Sequence, residues 1–363
     1  MQADLDRYHR QMLLKDFGKA GQEQLAGSTA LLLGCGALGS VAADLLSRAG
    51  VGHLVIVDRD IVEKTNLQRQ LLFDESDVAA GMPKAEAAKQ HIAKTNSQVR
   101  VTAIVDDIND TNMARYADGV DVIVDGLDNL ETRYLANDCA VSSGLPYLYG
   151  AAVGTTGMAF TVLPHSGRET AWEAADARVG PTPCLRCLFE EPPPGTLPTC
   201  DTVGVLGPLI AIIASFQASE ALKILTGNFE KLNRKLLHVD PWSNEVMQLD
   251  VSNVYEQADC PCCKHRRFEY LEGRAGSSAT SLCGRDAVQL RHRVSTRPVD
   301  LDGVAARLAN HGEVRVNDYL LSATIMDGEA GFEITLFQDG RAIIKGTQDP
   351  GVARAIYSRY IGT

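Results

Sequence analysis

The stretch TALLLGCGALGSVAADLLSRAG, Thr29 to Gly50, decides the fold. Thr29 to Leu33 carry no charge and no alternation with polar positions, so they read as a short strand buried on both faces. Three glycines follow, Gly34, Gly36 and Gly39, and then a run of helix formers closed by Gly50. A strand, a glycine-rich turn and a helix in this order aim backbone N–H groups and the positive end of a helix dipole at one point, which suits a phosphate. The next strand, HLVIVD, ends in Asp58, whose carboxylate is placed to accept from ribose hydroxyls. The pattern serves nicotinamide, flavin and ATP enzymes alike, and a tight turn that merely needs glycines also satisfies it.

Outward from this unit, strand and helix patterns alternate. A helical block runs from Pro83 to Lys94, a β-rich stretch from Val99 to Val105, a strand from Val120 to Asp125, a helix from Leu130 to Ser143 and a strand from Pro146 to Tyr149. Such alternation implies a parallel sheet with helices on both faces, an α/β architecture of the Rossmann-like, doubly wound kind. The proline-rich segment 164–201 lacks apolar periodicity and reads as a long functional crossover loop. A helix from Pro208 to Leu225 and strands at Lys235 to Val239 and Glu245 to Leu249 complete a large domain, residues 1–265, which opens with an N-terminal helical arm. Residues 266–282 are rich in small residues and read as a linker, and residues 283–363 as a smaller α+β domain.

Composition narrows the function. Of 363 residues, 35 are Lys or Arg and 46 are Asp or Glu, a formal charge of -11 that speaks against binding nucleic acid through its phosphates. Nine cysteines in two close-spaced clusters and some singles do not resemble a secreted disulfide framework, so a reducing cytosol is expected. The N-terminus has no continuous apolar segment of the signal-peptide type. The most apolar stretch, Val203 to Phe216, holds two glycines and a proline and runs into Gln217 and Glu220, which fits a buried helix better than a membrane span.

Three further segments carry chemistry. NLQRQLLF (Asn66 to Phe73) contains Arg69, Lys84 stands at a helix start, and DGLDN (Asp125 to Asn129) contains Asp128. Hydride transfer has no use for cations near the phosphates, whereas attack on an α-phosphate needs them where pyrophosphate departs. Asp128, at the carboxyl end of a strand, is placed to hold Mg²⁺. Taken singly, each of these is equally well a solvated surface charge. Cys184 and Cys187, with Cys260 and Cys263, are two C-x-x-C pairs able to share one tetrahedral zinc; Cys262 is then spare, and unligated buried thiols remain the alternative. Cys200 lies ahead of a helix, where a thiol is more nucleophilic, although a structural role fits as well. Cys35, inside the glycine turn, and Cys139, in an apolar helix, read as packing residues.

RYHRQMLL, GCGALG, VDRD, NLQRQ, GMPK, GLDN, CLRC, LPTC and CPCC occur in the order seen in the ThiF/MoeB/HesA family, relatives of ubiquitin-activating enzymes, and the resemblance spans about residues 5 to 265. It implies an adenylyltransferase that uses ATP and Mg²⁺ to activate the C-terminal glycine of a small ubiquitin-like sulfur-carrier protein ending in Gly-Gly, in preparation for a thiocarboxylate. On that resemblance Gly34, Gly36, Gly39 and Asp58 form the nucleotide cradle, and Arg69 and Lys84 are the phosphate cations. Asn66 and Gln70 are polar supports, Asp128 is the Mg²⁺ ligand, and the four paired cysteines hold Zn²⁺. Arg10 resembles an arginine that reaches the neighbouring subunit's ATP in family homodimers, and Cys200 falls on a loop cysteine whose part in sulfur transfer differs among members. A cysteine desulfurase or another sulfur donor is implied as a further partner. SLCGRDAVQL and FEITLFQDGRAIIKGT resemble the C-terminal extension of certain ThiF-like members, which leans toward thiamine chemistry over molybdopterin, cysteine or siderophore products. The competing readings are a nicotinamide-dependent oxidoreductase and a catalytically silent binding partner of the same fold.

Overall fold

A computed structural model describes residues 5–165, 170, 172, 179–189, 204–275, 279–282, 286–290, 299–327 and 330–361. These divide into two compact units, one ending at Ala275 and one after it.

In the first unit a short arm, α1 (His9–Met12), and α2 (Gly18–Ala26) precede β1 (Thr29–Leu33) and α3 (Ala37–Ala49). Then follow β2 (His53–Val57), α4 (Glu75–Ala80), α5 (Lys84–Thr95), β3 (Arg100–Ile104), α6 (Met113–Tyr116), β4 (Val122–Asp125) and α7 (Leu130–Ser143). The unit continues with β5 (Tyr147–Val153), β6 (Thr156–Val162), α8 (Leu185–Leu188), α9 (Gly207–Leu225), β7 (Leu236–Asp240), β8 (Glu245–Leu249) and α10 (Val254–Gln257). The eight strands lie in the order β3-β2-β1-β4-β5-β6-β7-β8. The first five are mutually parallel, and β6, β7 and β8 each run antiparallel to the strand before. The doubly wound expectation is thus met, with an antiparallel extension on one side.

Burial explains the uncharged β1. Ala30 and Leu32 face a core shared with α3, α5 and α9, whereas Leu31 and Leu33 face another shared with α6 and α7, and all four are fully buried. A strand covered on both sides has no polar face to show. Sequence analysis did not read β6. Its signal was a two-residue link, Gly154-Thr155, with Gly154 at φ +61° between runs that pair Val153 with Thr156. The small residues Gly150, Ala151 and Ala152 in β5 hid that hairpin by weakening the strand pattern before it.

Helix α9 is long and apolar enough to cross a membrane by composition, yet it is a core helix of this unit. Gln217 donates through Nε2 to the carbonyls of Asp125 (2.8 Å) and Leu148 (2.9 Å), and Glu220 accepts from Thr161 Oγ1 (3.1 Å) and the Asn233 amide (2.8 Å). Both polar side chains are buried against the sheet; these bonds occupy Gln217 Nε2 and Glu220 Oε2, while Gln217 Oε1 has no hydrogen-bond partner among the described residues.

The second unit is built on one six-stranded antiparallel sheet. It comprises β9 (Ala279–Leu282), β10 (Ala287–Leu290), α11 (Leu301–Leu308), β11 (Gly312–Val316), β12 (Leu320–Asp327), β13 (Ala330–Phe337), β14 (Ala342–Lys345) and α12 (Pro350–Tyr360). Strand β9 lies in the stretch that reads as a linker by composition. Leu301, Val304 and Leu308 of α11 and Ala353, Ile356 and Tyr357 of α12 join Leu321, Ile334 and Ile344 in one core, an α+β arrangement.

Candidate active site and zinc cluster

The glycine turn packs backbone against backbone. A Cβ on Gly39 would stand 2.0 Å from the Gly34 carbonyl oxygen, one on Gly126 2.4 Å from the same atom, and one on Gly34 2.6 Å from the Gly126 oxygen. Gly34 also has φ +86°, a conformation that L side chains rarely adopt. These contacts seat the start of α3 against the carboxyl ends of β1 and β4, the point where strand order reverses and ligands bind in open α/β sheets. Gly36 is different. A Cβ there would meet nothing nearer than 3.9 Å, where Gln70 Nε2 stands, so the turn is open on that side. Gln70 is itself buried, with Oε1 unpartnered, and so has hydrogen-bonding capacity left for a ligand.

Asp58 is fixed by the turn, accepting from the Cys35 amide (2.6 Å) and the Asp60 amide (2.7 Å). Burial pushes its carboxyl above the ordinary range, while Lys84 pulls it back. Lys84, only 3% exposed, places Nζ 2.9 Å from Asp60 Oδ2, and Arg59 Nη1 lies 2.9 Å from Asp107 Oδ1. Asp128 is exposed and accepts from Asn129 Nδ2 (3.2 Å); its charge acts on both Arg59 and Arg133. Asn66 Oδ1 caps a short turn by accepting the Glu63 amide (2.9 Å), and Arg69 Nη1 donates to the Thr65 carbonyl (2.9 Å). The glycines, Asp58, Gln70, Lys84 and Asp128 are thereby linked through direct contacts and charges around one end of the sheet.

Arg10 is not brought to this cluster. On its arm, Gln11 Nε2 donates to the Ala49 carbonyl (2.9 Å), and the Tyr8 hydroxyl accepts from Asn96 Nδ2 (2.7 Å). The Tyr8 ring occupies the space that a side chain on Gly50 would need. All of these mark the C-terminal end of α3, and 13 helical residues separate it from the glycine turn, about 20 Å. Arg10 itself is exposed. Cys200 and Cys283 lie outside the described residues. Burial pushes the Cys35 thiol well above its ordinary range and Cys139 to about 12, as befits packing residues.

Three side chains that contact this cluster or its loop were not singled out by sequence analysis: Asp125, Arg133 and Asp60. Arg133 was legible in one respect, since a charge one turn past the cap Asn129 falls among the apolar positions of α7. Its partners are long-range, and no local pattern announces them.

Sγ separations of 3.8 Å (Cys184 to Cys187), 3.6 Å (Cys184 to Cys260) and 3.3 Å (Cys187 to Cys263) gather the two C-x-x-C pairs, and all four sulfurs lie within 4.8 Å of one another. Tetrahedral zinc with bonds of about 2.3 Å sets its sulfurs roughly 3.8 Å apart, so the donor set fits that metal. Cys262 is outside the group and accepts from Asn137 Nδ2 (3.4 Å). Asn137 Oδ1 in turn accepts the Leu185 amide (2.8 Å), so α7 contacts both cysteine-bearing segments.

Comparison with known proteins is decisive for family. The model of the ThiF family matches residues 8–262. The chain belongs to the ThiF family. Among its ThiF-family relatives, the sulfur carrier protein ThiS adenylyltransferase of Bacillus subtilis is 42% identical over 98% of this chain and 99% of its own. The SAMP-activating enzyme E1 of Haloferax volcanii is 38% identical over 74% of this chain and 92% of its own. The sulfur carrier protein adenylyltransferase of Thermus thermophilus is 37% identical over 72% of this chain and 91% of its own. The Bacillus relative therefore aligns through the second unit as well. The crystal structure of E. coli MccB with ATP superposes with a TM-score of 0.57 over 71% of this chain and 74% of that one, at 23% identity, a likeness of fold.

Proposed function

We propose that the protein is an ATP-dependent adenylyltransferase for a ubiquitin-like sulfur-carrier protein, supplying a thiamine- or molybdopterin-type sulfur pathway in the cytosol. The observation that carries this reading is the gathering of Asp58, Lys84 and Asp128 around an open glycine turn. The relatives' names agree with it. A nicotinamide enzyme would have no shared use for the cations and Asp128, and a silent partner no reason to retain them all.

In this reading the carboxylate of the carrier's terminal glycine attacks the α-phosphorus of ATP, an acyl–phosphate bond forms, and the bond to pyrophosphate breaks. The turn's amides and the N-terminus of α3 cradle the phosphates. Arg69 and Lys84 stabilise the departing negative charge, and Lys84 is held in place by Asp60. Asp58 binds the ribose, Asn66 and Gln70 support the phosphate loop, and Asp128 would hold Mg²⁺, which neutralises phosphate charge when bound. The four clustered cysteines would hold a structural zinc, since four thiolates leave no open position. Cys200 is assigned to the later sulfur-transfer stage, with a cysteine desulfurase or similar donor. We assign adenylation to residues 1–265.

The test is pyrophosphate exchange. Radiolabelled pyrophosphate should enter ATP only when a carrier with a free C-terminal glycine is present. Exchange without any carrier, or a hydride-transfer activity with NAD⁺ in its place, would overturn the reading.

A homodimer completes the site in this reading. Arg10 is about a helix length from its own cradle, and the adjacent Leu13 and Leu14 are 70% and 60% exposed, apolar surface suited to another subunit. Mixing Arg10→Ala with Asp128→Ala protein should restore about a quarter to a half of wild-type exchange after subunit exchange, because one site in each mixed dimer keeps both residues. Absence of recovery in demonstrated mixed dimers would return Arg10 to its own chain.

A further inference from the structure

We infer that Arg133 is a positioning residue for the Mg²⁺-binding loop, acting through the Gly126–Asp128 backbone; this rests on the adenylation reading above and on Asp128 as the metal's ligand. Arg133 is only 9% exposed. Its guanidinium serves three acceptors: Nη2 donates to the Leu127 carbonyl (2.6 Å) and the Gly150 carbonyl (2.9 Å), and Nε to the Asp125 carboxylate (3.1 Å). The planar fork of arginine suits such a set, and a lysine could satisfy it only in part.

The peptide before Asp128 is consequently fixed from both ends. The Leu127 amide donates to Asp125 Oδ1 (2.9 Å), the Leu127 carbonyl is taken by Arg133, and the Gly126 amide donates to the Leu33 carbonyl (2.8 Å). Asp125 is in turn held by the Tyr147 hydroxyl (2.7 Å), and its own carbonyl by Gln217 (2.8 Å). Asp128 follows directly, and among the described residues its carboxylate accepts only from Asn129 Nδ2. An exposed metal ligand on a loop is as well ordered as its backbone, and here the ordering comes from a buried arginine on the next helix.

A buried pair of this kind is weak evidence for stability, because well-packed apolar residues often do as well. Positioning gives the pair a purpose that packing does not. Groups that orient metal ligands typically change metal affinity by about 10- to 100-fold when removed.

Arg133→Lys and the double variant Arg133→Gln with Asp125→Asn test this, the second because it strands no lone charge if the single change fails to fold. Pyrophosphate exchange is measured across a Mg²⁺ titration, with thermal midpoints taken in parallel. The half-saturating Mg²⁺ concentration should rise about 10-fold or more, while the rate at saturating Mg²⁺ stays within a few-fold of wild type. Arg133→Lys should lie between wild type and the double variant. An unchanged Mg²⁺ midpoint with a lower rate or thermal midpoint would overturn the inference and leave Arg133 a structural residue. Failure of wild-type exchange, or an Asp128→Asn control with the wild-type Mg²⁺ midpoint, would overturn instead the reading on which the inference stands.

Discussion

Asp128→Ala is expected to lower carrier-dependent pyrophosphate exchange by about a thousandfold or more while leaving the thermal midpoint unchanged. The size follows from chemistry: loss of a single preorganised group that stabilises transition-state charge costs about 10²- to 10³-fold, and here the whole metal goes with it. The harmlessness to the fold follows from position. Asp128 is exposed, and among the described residues it accepts a hydrogen bond from the neighbouring Asn129 alone. Removing its charge also leaves Arg59 with Asp107 and Arg133 with Asp125, so neither cation is orphaned. Residual exchange within tenfold of wild type would remove Asp128 from the metal.

The second large effect concerns the cysteine cluster. Cys260→Ser should reduce bound zinc from one per chain to nearly none, whereas Cys262→Ser should leave it at one. The distinction rests on geometry, since Cys260 stands 3.6 Å from Cys184 and Cys262 is turned to Asn137. Binding free energy of a structural zinc is also folding free energy, about 10 kcal/mol or more in small zinc-finger peptides. If only about 3 kcal/mol of that is lost in a larger unit, the midpoint falls by roughly 6–12 °C. Elemental analysis and thermal unfolding of both variants decide the matter, and equal zinc in the two would mean that the ligand set is misassigned.

Much of this molecule could be read from its sequence because its signals are local. The uncharged β1, the glycines after it and the acid at the end of β2 are each forced by immediate surroundings: two covered faces, a backbone contact no side chain can enter, a carboxylate capping a turn. The parallel half of the sheet follows from alternation of strand and helix. What stayed hidden depends on contacts distant in sequence. Strand β6 is as long as its partner β5, but β5 is full of small residues, so only pairing reveals the hairpin. The selection of Cys263 over Cys262 agrees with spacing, yet it takes Asn137, more than a hundred positions earlier, to occupy the spare thiol. Arg133 and Asp125 have meaning only once β4, β5 and α7 converge.

In the dimer proposed above, the anchoring of the N-terminal arm at the far end of α3 has a kinetic corollary. An enzyme that borrows an arginine from a second copy reports its own abundance. Below the concentration at which subunits pair, its output grows with the square of the amount of protein, and above it in simple proportion. Tyr8 and Gln11, by fastening the arm a helix length from its own nucleotide, would then act as a threshold on expression: a few stray molecules would consume almost no ATP, whatever the supply of carrier.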